Sequence, residues 1–161
     1  MLRRIIKITL FISSFLLFTP VIKEYKIIKH VNKVINNEIS INPYNGFINI
    51  PKFNYTNIIK NTEDSLDNNN IFIPPFSDEI GGNNVILAGH NNMYVFNKIY
   101  YLDIDDEIII SDFNVDYLYK VIETKYIEVD DYDSLKVDNS LILITCSNNN
   151  QKRYIVISKR R

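Results

Sequence analysis

The chain has 161 residues, of which 46% are hydrophobic, so it suits one domain with an adequate core and some additional sequence at one end. The formal net charge is −1, from 18 basic and 19 acidic residues, and the basic residues are scattered along the chain. The broad cationic face of a nucleic-acid-binding protein is therefore absent, and we expect no nucleic-acid partner.

Residues 1–22 are predicted to be a membrane-spanning signal anchor. Residues 8–22 carry no charge, and with Lys7 reaching toward the lipid headgroups about 18 apolar residues are available, barely enough to cross a bilayer. The small-residue site at which a signal peptide is cleaved does not follow, so an uncleaved anchor is favoured over a cleaved signal and over a buried amphipathic helix. Basic residues before the stretch favour a cytoplasmic amino terminus. The predicted location is therefore the cell membrane, single-pass, with the catalytic part extracellular.

Residues 23–45 are predicted to be a juxtamembrane helix or linker, because apolar residues recur there at helical spacing. His30 lies in this stretch and is interpreted as a solvated helix residue. The sequence NPYNG at residues 42–46 indicates a turn and a domain boundary. Residues 46–161 are expected to form the folded domain.

This domain is predicted to be mainly β, because β-branched and aromatic residues dominate it and short apolar runs alternate with turn signals. Eight or nine strands at this spacing predict a closed barrel or a sandwich. Short helical turns are predicted at 63–66 and 95–102. The predicted strands are 47–50, 55–59, 71–73, 85–88, 107–111, 117–123, 125–129, 141–145 and 153–158.

Two predicted strands end at residues that can carry chemistry. Cys146, the single cysteine of the chain, ends the apolar run 141–145, and His90 follows Gly89 directly after the run 85–88. A nucleophilic thiol needs an imidazole or a cation nearby, and Arg153, seven residues beyond the cysteine, supplies the cation. Because arginine keeps its proton at working pH, it could hold an oxyanion, and His90 would have to carry protons.

The same residue types also fit a plainer interpretation. A lone cysteine at a strand end is often a small buried hydrophobe, a histidine after a strand is often a loop residue, and an arginine at a strand start is often solvated. A metal site is not predicted, because His90 and Cys146 alone would lack further ligands.

Taken together, these residues resemble the sortase family of cysteine transpeptidases, which anchor proteins to Gram-positive cell walls. Residues 143–146 (LITC) are similar to the family's TLxTC signature, residues 153–156 (RYIV) to the arginine strand that follows it, and residues 87–90 (LAGH) to the histidine motif. All three occur in the family's order. Further similarity lies at 46–51, at 117–121 and between residues 96 and 106.

The resemblance implies an eight-stranded β-barrel with short helices that cleaves an LPxTG-like sorting signal between Thr and Gly. Cys146 would form a thioacyl intermediate, His90 would exchange protons with the leaving and incoming amines, and Arg153 would stabilise the oxyanion or position the signal. Thr145 is expected to contribute to substrate binding through its hydroxyl or its backbone. The partners implied are sorting-signal proteins and an amine acceptor, either a peptidoglycan precursor or a pilin lysine.

No cofactor is required by this chemistry. Some sortases bind calcium near the segment before the cysteine strand. Asp130, Asp131 and Asp133 occupy that segment here, so calcium binding and a solvated loop are both open expectations.

Two other functions remain open. One is an L,D-transpeptidase that crosslinks peptidoglycan, although Thr145 and the distance in sequence from Cys146 to Arg153 disfavour it. The other is a non-catalytic, membrane-anchored binding module.

Overall fold

A computed structural model describes residues 46–60 and 69–161 of the chain. The predicted signal anchor, the juxtamembrane segment and the helical turn at 63–66 lie outside these residues. Within the part that is described, no helix combines the length and the apolar content needed to cross a membrane.

Eight strands form the framework of the described residues. Three short 3₁₀ helices accompany them, Pro51–Phe53, Asn97–Tyr101 and Asp133–Leu135, and the second of these falls within the helical turn predicted at 95–102. The strands are β1 (Gly46–Ile50), β2 (Tyr55–Lys60), β3 (Ile71–Phe72), β4 (Asn84–Ala88), β5 (Glu107–Ser111), β6 (Asp116–Ile127), β7 (Ser140–Cys146) and β8 (Arg153–Arg160).

The strands form one closed barrel in the order β1-β2-β3-β4-β7-β8-β6-β5, and β5 pairs back with β1. Most neighbours are antiparallel, but β2 with β3 and β4 with β7 are parallel. Closure pairs the outer strands of the sheet, so the barrel leaves no open edge. The prediction of a mainly β, barrel-forming domain is confirmed.

The region of β6 differs from the prediction. Two strands were expected, at 117–123 and 125–129, and the structure has one strand of 12 residues. Its pairing with β8 changes register between Val121 and Glu123, which leaves Ile122 as an extra residue. Such a β-bulge lets the ladder continue across an interruption of the apolar pattern, so no turn is needed there.

Alternation along β7 and β8 divides their side chains between two faces. Leu141, Leu143 and Val156 belong to the large core cluster, to which all eight strands contribute buried residues. Ile142 and Ile155 belong to a smaller cluster on the opposite face. Because side chains alternate with a period of two, Cys146 and Arg153 share the face of the smaller cluster, on the outside of the barrel.

Candidate active site

The thiol of Cys146 and the guanidinium of Arg153 are in contact. Cys146 is the last residue of β7, Arg153 is the first of β8, and the antiparallel register pairs them directly. Arg153 Nη1 donates a hydrogen bond to Cys146 Sγ over 3.0 Å. Both residues are half-buried, so the pair is held by the sheet and still reachable from solvent. This arrangement places a fixed cation beside an atom that can form a covalent bond with a substrate.

The parallel pairing of β4 with β7 brings His90 to the same end of the barrel. Ala88 pairs with Ile144, and the N–H of Gly89 donates to the Ile144 carbonyl over 3.1 Å. His90 and Cys146 each lie two residues beyond that pair along parallel strands. The His90 side chain is exposed, and no hydrogen bond to its imidazole occurs in the described part of the chain. The ring is therefore open to exchange protons with a bound substrate.

The backbone of the His90 loop is fixed by its own carbonyl. The N–H groups of Asn92 and Phe96 both donate to the His90 carbonyl over 3.0 Å. Gly89 is needed at the start of this loop, since a Cβ there would lie 2.6 Å from Val95 Cγ1 and 2.8 Å from Phe96 Cδ2. Contacts of that length would push the loop away from the barrel.

Thr145 joins the histidine loop to the cysteine strand. Its hydroxyl donates to the Gly89 carbonyl over 2.8 Å, and the side chain lies on the core face with the residue only 2% exposed. The hydroxyl is therefore engaged inside the protein. A contact between Thr145 and substrate through the backbone stays a prediction.

Tyr100 is a residue of this site that sequence reasoning missed. Its hydroxyl donates to the Cys146 carbonyl over 2.8 Å and lies 3.3 Å from Asn91 Nδ2, which donates to it. With 11 tyrosines in the chain, residue type alone did not distinguish this one. The only sequence signal was its place in the predicted helical turn that follows the histidine.

A cavity of about 350 Å³ lies at the β7–β8 loop, within the usual size range of small-ligand sites. It is formed by Tyr126 of β6 together with the loop that joins β7 to β8. The loop residues that line it are Ser147, Asn148, Asn149 and Lys152. The cavity therefore offers hydroxyl, amide and ammonium groups from the loop that connects Cys146 to Arg153.

The acidic segment considered for calcium uses its carboxylates locally. Asp131 accepts hydrogen bonds from the N–H and the hydroxyl of Ser134, and Asp133 forms an ion pair with Lys136 at 2.7 Å. Among residues 46–60 and 69–161, no three His, Cys, Asp or Glu side chains are grouped in a way that could hold a metal ion. Calcium binding stays a prediction, and we derive no step through calcium.

The fold and the site together define a β-barrel domain with a half-exposed thiol, a contacting guanidinium and an imidazole at one end. Residues 48–161 match the family model described as the sortase domain. Because this match covers more than half of the chain, the chain belongs to the sortase family, and the resemblance predicted from its motifs is confirmed. Comparison with curated proteins gives no match.

Solved structures of sortases are similar to this chain. A Clostridium perfringens Sortase D5 transpeptidase shares 31% identity over 72% of this chain and 78% of that one, with a TM-score of 0.64. Sortase C1 from Streptococcus agalactiae shares 26% identity over 72% of this chain and 66% of its own length, with a TM-score of 0.65. Sortase C-1 from Actinomyces oris shares 24% identity over 77% of this chain and 75% of that one, with a TM-score of 0.67. At this identity the similarity supports the fold alone. The matched part of this chain thus spans slightly less than two thirds of the Streptococcus structure.

Proposed function

We propose that this protein is a membrane-anchored cysteine transpeptidase that cleaves an LPxTG-like sorting signal between Thr and Gly. The acyl fragment passes through a thioester on Cys146 to an amine of a peptidoglycan precursor or a pilin. The observation that carries the proposal is the 3.0 Å contact between Arg153 Nη1 and Cys146 Sγ, at the end of the barrel to which the parallel strands also bring His90.

In the first half of the reaction, Cys146 Sγ attacks the carbonyl carbon of the signal's Thr. The proton of the thiol passes to His90, the Thr–Gly C–N bond breaks, and His90 gives that proton to the departing Gly amine. The product is a thioester between Cys146 and the protein that carried the signal.

In the second half, the acceptor amine attacks the thioester carbonyl. His90 takes a proton from the incoming amine, the C–S bond breaks as the new amide forms, and His90 gives that proton to the departing sulfur, which restores the Cys146 thiol. Arg153 stays charged throughout, because a guanidinium does not lose its proton at working pH. Its role is to donate hydrogen bonds to the oxyanion of each tetrahedral intermediate or to position the signal.

Features on the outer face of the barrel support a peptide substrate. Cys146 and Arg153 are half-buried on the outer face rather than enclosed in the core, and the β7–β8 loop that connects them lines a cavity. The extracellular location, the membrane anchor and the Gram-positive host are part of the proposal and rest on the sequence of residues 1–22.

Of the alternatives, membership of the sortase family favours transfer of sorting signals over L,D-transpeptidation of peptidoglycan. A non-catalytic binding module keeps the same fold and differs only in leaving the peptide uncut. Activity therefore separates it from the enzyme.

The test is a peptide-library cleavage assay with the full chain in the presence of an amine acceptor. We expect cleavage between Thr and Gly of LPxTG-like members, an amide product with the acceptor, and loss of both in Cys146→Ala. Binding of peptides without any cleavage would contradict the proposal and indicate a binding module. Crosslinking of a muropeptide, with no reaction of LPxTG-like peptides, would indicate an L,D-transpeptidase.

A further inference from the structure

We infer that Tyr100 and Asn91 are positioning residues, which hold the His90 loop and the Cys146 strand end in a fixed relationship. This inference rests on the proposed function, because it assigns a role in aligning the groups that this function uses. Neither residue contacts the reacting atoms. Each acts through the backbone that carries them.

The connection is a chain of hydrogen bonds from one loop to the other. Asn91, the residue after His90, donates through Nδ2 to the Tyr100 hydroxyl over 3.3 Å and to Asn148 Oδ1 over 2.9 Å. The Tyr100 hydroxyl donates in turn to the Cys146 carbonyl over 2.8 Å. A single hydroxyl therefore touches both the neighbour of the predicted acid–base and the backbone of the predicted nucleophile.

Stacking fixes the direction in which the Tyr100 hydroxyl points. Its ring lies 4.3 Å, centroid to centroid, from the ring of Tyr154, with an angle of 26° between the planes. Tyr154 is itself held by the sheet, since it pairs with Thr145 of β7 and directly follows Arg153 in β8. The Tyr126 ring contacts both of these rings, with its centroid 5.1 Å from that of Tyr154 and 6.5 Å from that of Tyr100. Offset-stacked rings of this kind resist rotation, so the hydroxyl is preorganised.

The position of the hydrogen bond from the Tyr100 hydroxyl to the Cys146 carbonyl explains why it matters for reactivity. Cys146 is the last residue of β7, and its carbonyl is bonded by Tyr100 where the chain leaves the sheet to enter the β7–β8 loop. The hydrogen bond to that carbonyl restrains the backbone of Cys146. The direction of the Cα–Cβ bond, which carries the sulfur, is restrained with it. Misplacement of a reacting atom by about 1 Å can cost about 100-fold in rate.

The hydroxyl also keeps the proton that this bond requires. Burial, with smaller contributions from Tyr126 and Cys146, raises the pKa of Tyr100 above its ordinary value. Tyr100 therefore remains a donor to the carbonyl throughout the neutral range, and it can accept from Asn91 at the same time.

The variant that isolates this contact is Tyr100→Phe, which removes the hydroxyl and keeps the ring that stacks on Tyr154. Tyr101→Phe is the matched control, because Tyr101 is the next residue and is 70% exposed. We expect kcat for LPxTG-peptide cleavage by Tyr100→Phe to fall about tenfold, the equivalent of about 1.4 kcal/mol in the barrier, with KM unchanged within about twofold. Tyr101→Phe is expected to match the wild type.

Asn91→Ala provides a second route to the same result should Tyr100→Phe fail to fold. If both residues act through one chain of bonds, the double variant should lose less than the product of the two single losses. A purely structural role predicts a different result, in which the unfolding midpoint falls while kcat of the folded variant stays at the wild-type value. That result, or equal kcat values for Tyr100→Phe and Tyr101→Phe, would overturn the inference.

Alkylation of Cys146 by iodoacetamide gives a readout that does not depend on turnover. A change of about threefold or more in the rate for Tyr100→Phe, with none for Tyr101→Phe, would support positioning of the thiol even in a protein that cleaves no peptide. Should the wild type cleave no peptide, the proposed function fails. In that case equal alkylation rates in the two variants would overturn the positioning role as well.

Discussion

Arg153 Nη1 lies 3.0 Å from Cys146 Sγ, and the two residues are paired across the last rung of the β7–β8 ladder. The six residues between them form a closed loop, in which the Ser147 N–H donates to the Lys152 carbonyl over 2.8 Å and the Lys152 N–H donates to Ser147 Oγ over 3.0 Å. Hydrogen bonds on the sheet side and the loop side thus fix the relative position of thiol and guanidinium. The short loop converts a spacing in sequence into a contact.

Replacing Arg153 with lysine is expected to reduce kcat/KM for LPxTG-peptide cleavage by about 100-fold, because an ammonium cannot reproduce the planar donor fork of a guanidinium beside an oxyanion. Steady-state kinetics on the full chain measures this. Arg161→Lys is the control, since it makes the same exchange at an exposed residue away from the site. Near-normal turnover in Arg153→Lys would remove Arg153 from the mechanism.

Replacing His90 with glutamine should lower kcat by about 10² to 10⁴, the usual contribution of a positioned acid–base group. The proposed reaction gives this imidazole a proton transfer in each half, so both hydrolysis and transfer to an amine should fall together. His30→Gln is a suitable control, because His30 is the other histidine of the chain and belongs to the predicted juxtamembrane segment. Equal rates in the His90 and His30 variants would rule out the acid–base role.

Replacing Thr145 with valine removes the donor to the Gly89 carbonyl while retaining most of the side-chain volume. Leaving that buried carbonyl unpaired should lower the free energy of unfolding by about 1 to 3 kcal/mol, measured by urea titration. Cleavage should also weaken, since the same bond joins the His90 loop to β7. Thr145→Ser keeps the hydroxyl and should retain more activity than the valine variant. The opposite order of activities would show that the methyl group, and not the hydrogen bond, is what the site requires.

The carboxylate of Asp106 should make stability depend on pH. Burial alone would raise its pKa, but hydrogen bonds from Lys52 Nζ and from the Asp103 N–H outweigh it and lower the pKa of Asp106 below its ordinary value. A carboxylate whose pKa is lower in the folded than in the unfolded state stabilises the folded protein. This stabilisation is fully present above the unfolded-state pKa of about 3.9 and is lost as pH falls through the folded-state pKa. The difference in unfolding midpoint between wild type and Asp106→Asn should therefore be constant near neutral pH and should narrow below about pH 4.

Asp103→Asn is the matched control for this experiment. It removes the other carboxylate that contacts Lys52, at 2.6 Å, but keeps the bond from the Asp103 N–H to Asp106. The Asp103 side chain is 84% exposed, so its ion pair should contribute less than that of Asp106. A pH profile of Asp106→Asn that runs parallel to that of the wild type down to the acid limit would contradict the assignment.

The sequence predicted the strand ends on which the site is built, because apolar runs bounded by turn residues are local signals. Cys146, His90 and Arg153 each lie where the pattern placed them, after or at the start of a strand. Their shared position at one end of the barrel could not be derived from their spacing in the sequence alone, since it depends on the parallel register of β4 with β7. It also depends on the alternation of side chains along β7 and β8, which places Cys146 and Arg153 on the outer face. Only the resemblance to known motifs indicated it.

Other features depend on contacts between distant segments and left no local signal. Tyr100 is part of the site because Tyr154, 54 positions later, supports its ring, and nothing in the residues around Tyr100 distinguishes it from Tyr101. In β6, polar residues after Ile122 suggested a break between two strands, but pairing with β8 on one side carries the strand past them through a bulge. Both results follow from tertiary packing, which outweighs local pattern.

The most direct test of the central claim is the intact mass of the full chain after brief reaction with an LPxTG-like peptide and acid quench. The account predicts an added mass equal to the peptide fragment that ends at Thr less one water, located on Cys146, removed by hydroxylamine and absent from Cys146→Ala. Peptide cleavage that leaves no adduct on Cys146, or an adduct that persists in Cys146→Ala, would contradict nucleophilic catalysis by this thiol.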